Sequence, residues 1–323
     1  MVNPPADDDR EPITTSGIIA VVNLHAQIES LTAAAMHAAA QGSAEESLAL
    51  VDLLTLRGHV LGRIADYEQA EELANLLVHE APRSPIVLLA RARTRATFHR
   101  FDEALADLDA AEFNGLDRSR LEAERATIFQ AVGERARAEA HYVDATRLRP
   151  DFAAFASLAV LRAESGDVAE AERLFAEARR LYRGTSPFPI ASLDFRRGLM
   201  WLRADDLTTA RTRFDAARRR VPGYAPVLGR LADIDLTLGA HETAIERLSP
   251  LASSSDDPVY AAALAHALDA AGHPREAEEQ RAAAATRYEQ LALIHPEAYA
   301  DHAADFRRDA SAHTLTHALH RVH

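Results

Sequence analysis

The sequence predicts an all-α fold of about seven helical hairpins stacked side by side, with a capping helix at each end. Three observations predict it. Alanine recurs at 70, 104, 138, 171, 210, 244 and 277, in steps of 34, 34, 33, 39, 34 and 33 residues. Twelve residues before each stands another small residue: Gly58, Ala92, Ala126, Ala159, Gly198, Ala232 and Ala265. No segment alternates in the manner of a strand. A fixed period of this size is the mark of one supersecondary unit repeated along the chain.

The spacing has a physical logic. Small side chains at both positions let two antiparallel helices approach closely. Four residues after the alanine a large side chain (Leu108, Tyr142, Phe175, Phe214, Leu248) fills the space between neighbouring units, although Ala74 and Arg281 stand there in the terminal ones. Turns are expected at Ala65-Asp66-Tyr67, Gly133-Glu134-Arg135, Gly166-Asp167-Val168 and Gly272-His273-Pro274. Pro82, Pro150 and Pro222 end second helices, because the proline ring cannot continue the hydrogen-bond ladder. One hairpin cannot bury its apolar face alone, so neighbours must stack.

In chain order, residues 1–16 are polar and acidic and read as a disordered tail. A capping segment at 17–43 follows, helical from Gly17 to Ala40, with Ser43 and Glu46 forming a capping box for the next helix. The repeats occupy 44–290. The fourth is five residues too long, and the excess falls in Arg183-Gly-Thr-Ser-Pro-Phe-Pro-Ile190, a loop that serves as a spacer or touches a ligand. Residues 291–323 form His-rich capping helices, with Pro296 in a first helical turn, where its missing N–H costs nothing.

Composition narrows the function. There is no cysteine, which removes thiol catalysis and zinc ribbons, and no lysine, which removes Schiff-base chemistry and a P-loop. All 36 basic residues are arginine, as a GC-rich bacterial genome would favour. The net charge of −13 makes a poor general ligand for nucleic acid. The basic runs at 91–95 and 218–220 read as solvated helix faces or ion pairs between repeats. No apolar run is long enough to span a membrane, and the first residues lack the basic start of a signal peptide, so a cytoplasmic protein is expected. No GxSxG, GxGxxG or Walker sequence appears.

The pattern over residues 44–290 resembles the tetratricopeptide repeat family, without that family's tryptophan near the start of each first helix. The resemblance implies a right-handed superhelical solenoid whose first helices line a concave, ligand-holding groove. Carried onto this chain, the groove residues are His59, Arg63, Arg93, Thr127, Gln130, Arg196, Arg203 and Asp233. The arginines suit an acidic peptide. The clamp by which chaperone-binding members hold a terminal carboxylate is absent, since Thr55 and His59 replace its lysine and asparagine.

Nine of the fifteen histidines lie beyond residue 240. His295, Glu297, Asp301 and His302, with His266 and Asp269 of the last repeat, supply imidazole and carboxylate groups of the kind that hold a divalent transition metal. His313, His317 and His320 share one helical stripe. The leading reading is a non-catalytic scaffold that takes a peptide or helix of a protein partner, with no cofactor. The alternative is a metal-binding protein or metal-dependent enzyme built on the C-terminal groups.

Overall fold

A computed structural model describes residues 11–37 and 44–312, with side chains over 11–34 and 44–308. Ser43 of the expected capping box and the histidines at 313, 317 and 320 lie outside the described residues. Those residues form sixteen α-helices, one 3₁₀ turn at Arg118–Arg120 and no strand. Helix α1 spans Gly17–His37. Seven hairpins follow: α2 (Ala44–Leu61) with α3 (Ile64–Glu80), α4 (Pro85–Thr97) with α5 (Phe101–Phe113), α6 (Glu122–Ala131) with α7 (Arg135–Leu148), α8 (Phe152–Glu164) with α9 (Val168–Leu181), α10 (Phe188–Arg203) with α11 (Leu207–Arg220), α12 (Ala225–Thr237) with α13 (His241–Ser254), and α14 (Pro258–Ala270) with α15 (Pro274–Ile294). Helix α16 begins at Pro296 and runs to Ala312.

The alanine period is a packing period. Each of the seven alanines is fully buried, as are Ala126, Ala159, Ala232 and Ala265 at the partner position. At Gly198 an added Cβ would run into the ring of Phe214, so this hairpin closes only on a hydrogen. Five residues before the alanine the chain reverses through the left-handed region. Gly133, Gly166, Gly239 and Gly272 supply that conformation without steric cost, and His99 and Asp205 adopt it at the equivalent places. The first hairpin corrects the expected turn at 65–67: it reverses at Gly62, and α3 already starts at Ile64.

The chain divides into two compact units. Unit 1 is Met1–Val21 with Leu116–Pro222, and unit 2 is Val22–Gly115 with Gly223–His323. In unit 1, hairpins α6–α7, α8–α9 and α10–α11 follow one another in register. The expected loop lies between α9 and α10, where Tyr182 donates its hydroxyl to the Ser186 carbonyl at 2.7 Å. Residues 11–16, the described part of the expected tail, lie along this unit: the Thr15 N–H donates to the Thr185 carbonyl at 2.8 Å.

Unit 2 departs from stacking between sequence neighbours alone. Its first hairpin also packs on residues almost two hundred positions later. The Asp256 carboxylate accepts from the Ile64 and Ala65 N–H groups at 2.6 and 2.9 Å, capping α3 from a distance, since Arg63 at the cap position offers no side-chain bond. His59 meets the Tyr224 hydroxyl at 2.6 Å. Phe98 stacks on His295 with ring centroids 3.7 Å apart.

Candidate functional site

A cation-rich surface cleft of about 860 Å³ lies within unit 1. Arg179 at the end of α9, Asp194 and Arg197 on α10, and Arg213, Arg219 and Arg220 on α11 line it, together with Glu11 and residues 14–18. Helical spacing brings these groups together: positions 213 and 220 are two turns apart on α11, and 194 and 197 are one turn apart on α10.

Charge in the cleft is unevenly matched. Arg179 pairs with the buried Asp194, and its other nitrogen donates to both Glu11 oxygens at 3.0 Å. Arg220 also grips Glu11, and it donates to the Thr14 hydroxyl at 3.0 Å. Arg197 pairs with Glu172, which also accepts from the Trp201 indole at 2.8 Å. Arg213 and Arg219 have no hydrogen bond or ion pair among the described residues. The Nε atoms of Arg179, Arg197, Arg213 and Arg220 are buried without an acceptor. Five guanidinium groups thus face Asp194, Glu11 and Glu172, which leaves two positive charges in excess. Burial first, and the neighbouring Arg197 second, push the pKa of Arg213 down, and burial pushes that of Asp194 up against the pull of its arginines. A further anion would relieve the charge excess.

The expected groove residues separate between the units. In unit 1, Thr127 touches the Tyr142 hydroxyl at 3.2 Å. Gln130 accepts from that hydroxyl at 2.8 Å and donates to Glu164 at 2.5 Å. Arg203 lies 3.8 Å from Glu164, and Arg196 is exposed. This is a continuous polar strip, and burial pushes Tyr142 up to about 12. In unit 2, His59 is engaged by Tyr224, Arg63 lies 3.6 Å from Asp66, and Arg93 is exposed, 3.9 Å from Asp52. Asp233 accepts from Arg230 at 3.3 Å, and burial raises its pKa to about 7. These four do not form one surface of like charge, because each already leans on a neighbour within its unit.

Nor do the metal candidates converge. His295 is sandwiched against Phe98, with Nε2 3.4 Å from Glu68. Asp269 is taken by Arg281, His302 lies beside the Tyr299 ring, and Glu297 and Asp301 are exposed. Burial pushes the His266 pKa down. Among the described residues no three His, Asp or Glu side chains are placed to share an ion. His295 and Glu68 instead line a second cleft, of about 570 Å³, with Glu71, Glu72, Asn75, Leu76 and Ile294.

Comparison with known proteins agrees with the fold. Residues 202–267, covering α11 to α14, match the tetratricopeptide repeat family. No curated protein matches the sequence. Among solved structures, this protein is similar to a chain of the APC/C hetero-tetramer Cut9–Hcn1 (TM-score 0.53, 17% identity, 89% of this chain and 52% of that one covered). It is also similar to a monomeric IFIT1 mutant solved with m7Gppp-AAAA (TM-score 0.57, 15% identity, 85% and 68% covered). A third likeness is to TTC0263, a thermophilic TPR protein of Thermus thermophilus (TM-score 0.50, 18% identity, 60% and 100% covered). This protein spans about half the length of the chain it matches in the Cut9–Hcn1 complex. At these identities the likeness is one of fold. No helix among the described residues is long and apolar enough to cross a membrane.

Proposed function

We propose that this protein is an interaction scaffold that receives an extended acidic segment of a partner protein in the arginine cleft of unit 1. One observation carries the reading. Glu11 sits on a stretch of chain far from the cleft helices in sequence, yet Arg179 and Arg220 both hold its carboxylate. The cleft therefore accommodates a carboxylate presented on non-helical backbone. The unmatched Arg213 and Arg219 supply affinity for further negative charge. The tetratricopeptide-type hairpins favour binding of a protein segment.

Fluorescence anisotropy with a labelled Gly-Ser peptide bearing four glutamates tests this directly. Saturable binding that weakens with salt is expected, with none for the same peptide bearing four arginines. Equal binding of both peptides would refute the assignment. Preferential binding of an adenine oligonucleotide would make nucleic acid the ligand instead.

A further inference from the structure

Resting on that reading, we infer that the segment 11–16 is a resident competitor for the cleft. It must lift away before a partner's acidic segment can reach Arg179 and Arg220. Three kinds of contact hold it. Glu11 bridges Arg179 and Arg220. Thr14 accepts from Arg220, whose guanidinium also reaches the Pro12 carbonyl. The Thr15 N–H pairs with the carbonyl of Thr185. That last contact gives the long fourth repeat a use: the extra residues form the loop between α9 and α10, and this loop offers the carbonyl that receives the segment. Gly17 completes the attachment. It starts α1 so close to the Arg220 carbonyl that an added Cβ would collide with it.

The attachment is incomplete in a particular way. Glu11 satisfies two arginines but leaves Arg213 and Arg219 without an acceptor among the described residues. A ligand with two or more carboxylates can replace Glu11 and also engage Arg213. It therefore gains contacts that the resident segment does not make. The intramolecular tether favours the resident segment by effective concentration, so the exchange depends on the ligand's extra charge. The segment thus selects for multiply acidic partners and excludes singly acidic ones.

The four-glutamate peptide and hydrogen exchange together test this on the full chain. Glu11→Gln is expected to bind the peptide about fivefold more tightly than wild type, because the competitor is weakened. Thr15→Pro, which removes the N–H that pairs with Thr185, should act in the same direction by a different bond. In wild type, saturating peptide should accelerate amide exchange at Thr15. Peptide binding with unchanged exchange at Thr15 and equal affinity in wild type and both variants would overturn the competitor while leaving the cleft as the binding site. Failure of wild type and both variants to bind the peptide would overturn the cleft assignment and the competitor with it.

Discussion

The two clefts have opposite charge. In unit 1, arginines crowd one cavity and outnumber their acids. In unit 2, Glu68, Glu71 and Glu72 line the smaller one, where Arg100 pairs with Glu71, and His295 and Arg287 approach Glu68. Elsewhere in unit 2 three buried carboxylates are each paired within the fold. Asp107 receives both Arg91 and Arg95 at 2.6 Å, Asp66 receives Arg57 at 2.7 Å, and Asp235 receives Arg247 at 3.0 Å. One repeat plan therefore yields buried carboxylates that arginines satisfy within the fold, and a cleft whose arginines outnumber its acids. Only a surplus that folding does not consume points to binding, because ion pairs within the fold perturb charge without offering a site.

Removing Arg179 should sharpen this contrast most. Arg179 holds the buried Asp194 and also grips Glu11. Arg179→Met leaves Asp194 buried without its partner and should cost unit 1 about 3–5 kcal/mol. Burial already raises Asp194, so the uncompensated carboxylate is worse when charged, and the loss should grow from pH 5 to pH 8. Arg179→Met/Asp194→Leu should recover much of it. Urea denaturation followed by circular dichroism reads both, and an undiminished stability in Arg179→Met would break the distinction.

A smaller effect belongs to Asp233 of unit 2, whose pKa is raised to about 7. The native state keeps its proton where the unfolded chain has lost it. Its contribution is therefore fully present below the ordinary aspartate range and is lost as pH rises toward 7. The stability of wild type minus that of Asp233→Asn should fall by about 1.4 kcal/mol per pH unit between pH 4 and 7. It should be flat above that range, whatever the constant offset from the Arg230 contact. A difference independent of pH would show that Asp233 titrates normally.

The architecture was legible in the sequence because close helix packing tolerates only small side chains at fixed intervals. Ala70 to Ala277 and their partners twelve residues earlier report that contact directly. The site was legible only in part. Arg196, Arg203, Thr127 and Gln130 do fall on one polar strip of unit 1, but His59 is covered by Tyr224, a contact 165 residues away that no local pattern encodes. In the arginine run 218–220, Arg218 pairs with Asp215, Arg219 is exposed and Arg220 pairs with Glu11, in keeping with solvated faces and ion pairs; what the run does not reveal is that Arg219 and Arg220 line a cleft, which Glu11 reaches from a stretch expected to be a disordered tail. One signal was present and unused. The position three after the repeat alanine faces the position nine before it. Asp107 there meets Arg95, and Arg247 meets Asp235, the same two places with the charges exchanged. His141 stacks on Phe129 in that register. Arg213 occupies this position opposite Trp201, which offers no carboxylate. The hairpin's own sequence thus shows that Arg213 lacks the carboxylate that Arg247 finds in Asp235.

A paired titration tests the central claim most directly. The four-glutamate peptide is titrated against two double variants, Arg213→Gln/Arg219→Gln in the unit 1 cleft and Arg63→Glu/Arg93→Glu among the expected groove residues of unit 2. The first should lose about tenfold or more in affinity, the scale of one or two charge-assisted hydrogen bonds, with helicity unchanged. The second should stay within about twofold of wild type, because neither arginine lines the cleft. Loss of binding in the second with full binding in the first would contradict the account and return the ligand to the groove that the repeat pattern alone implied.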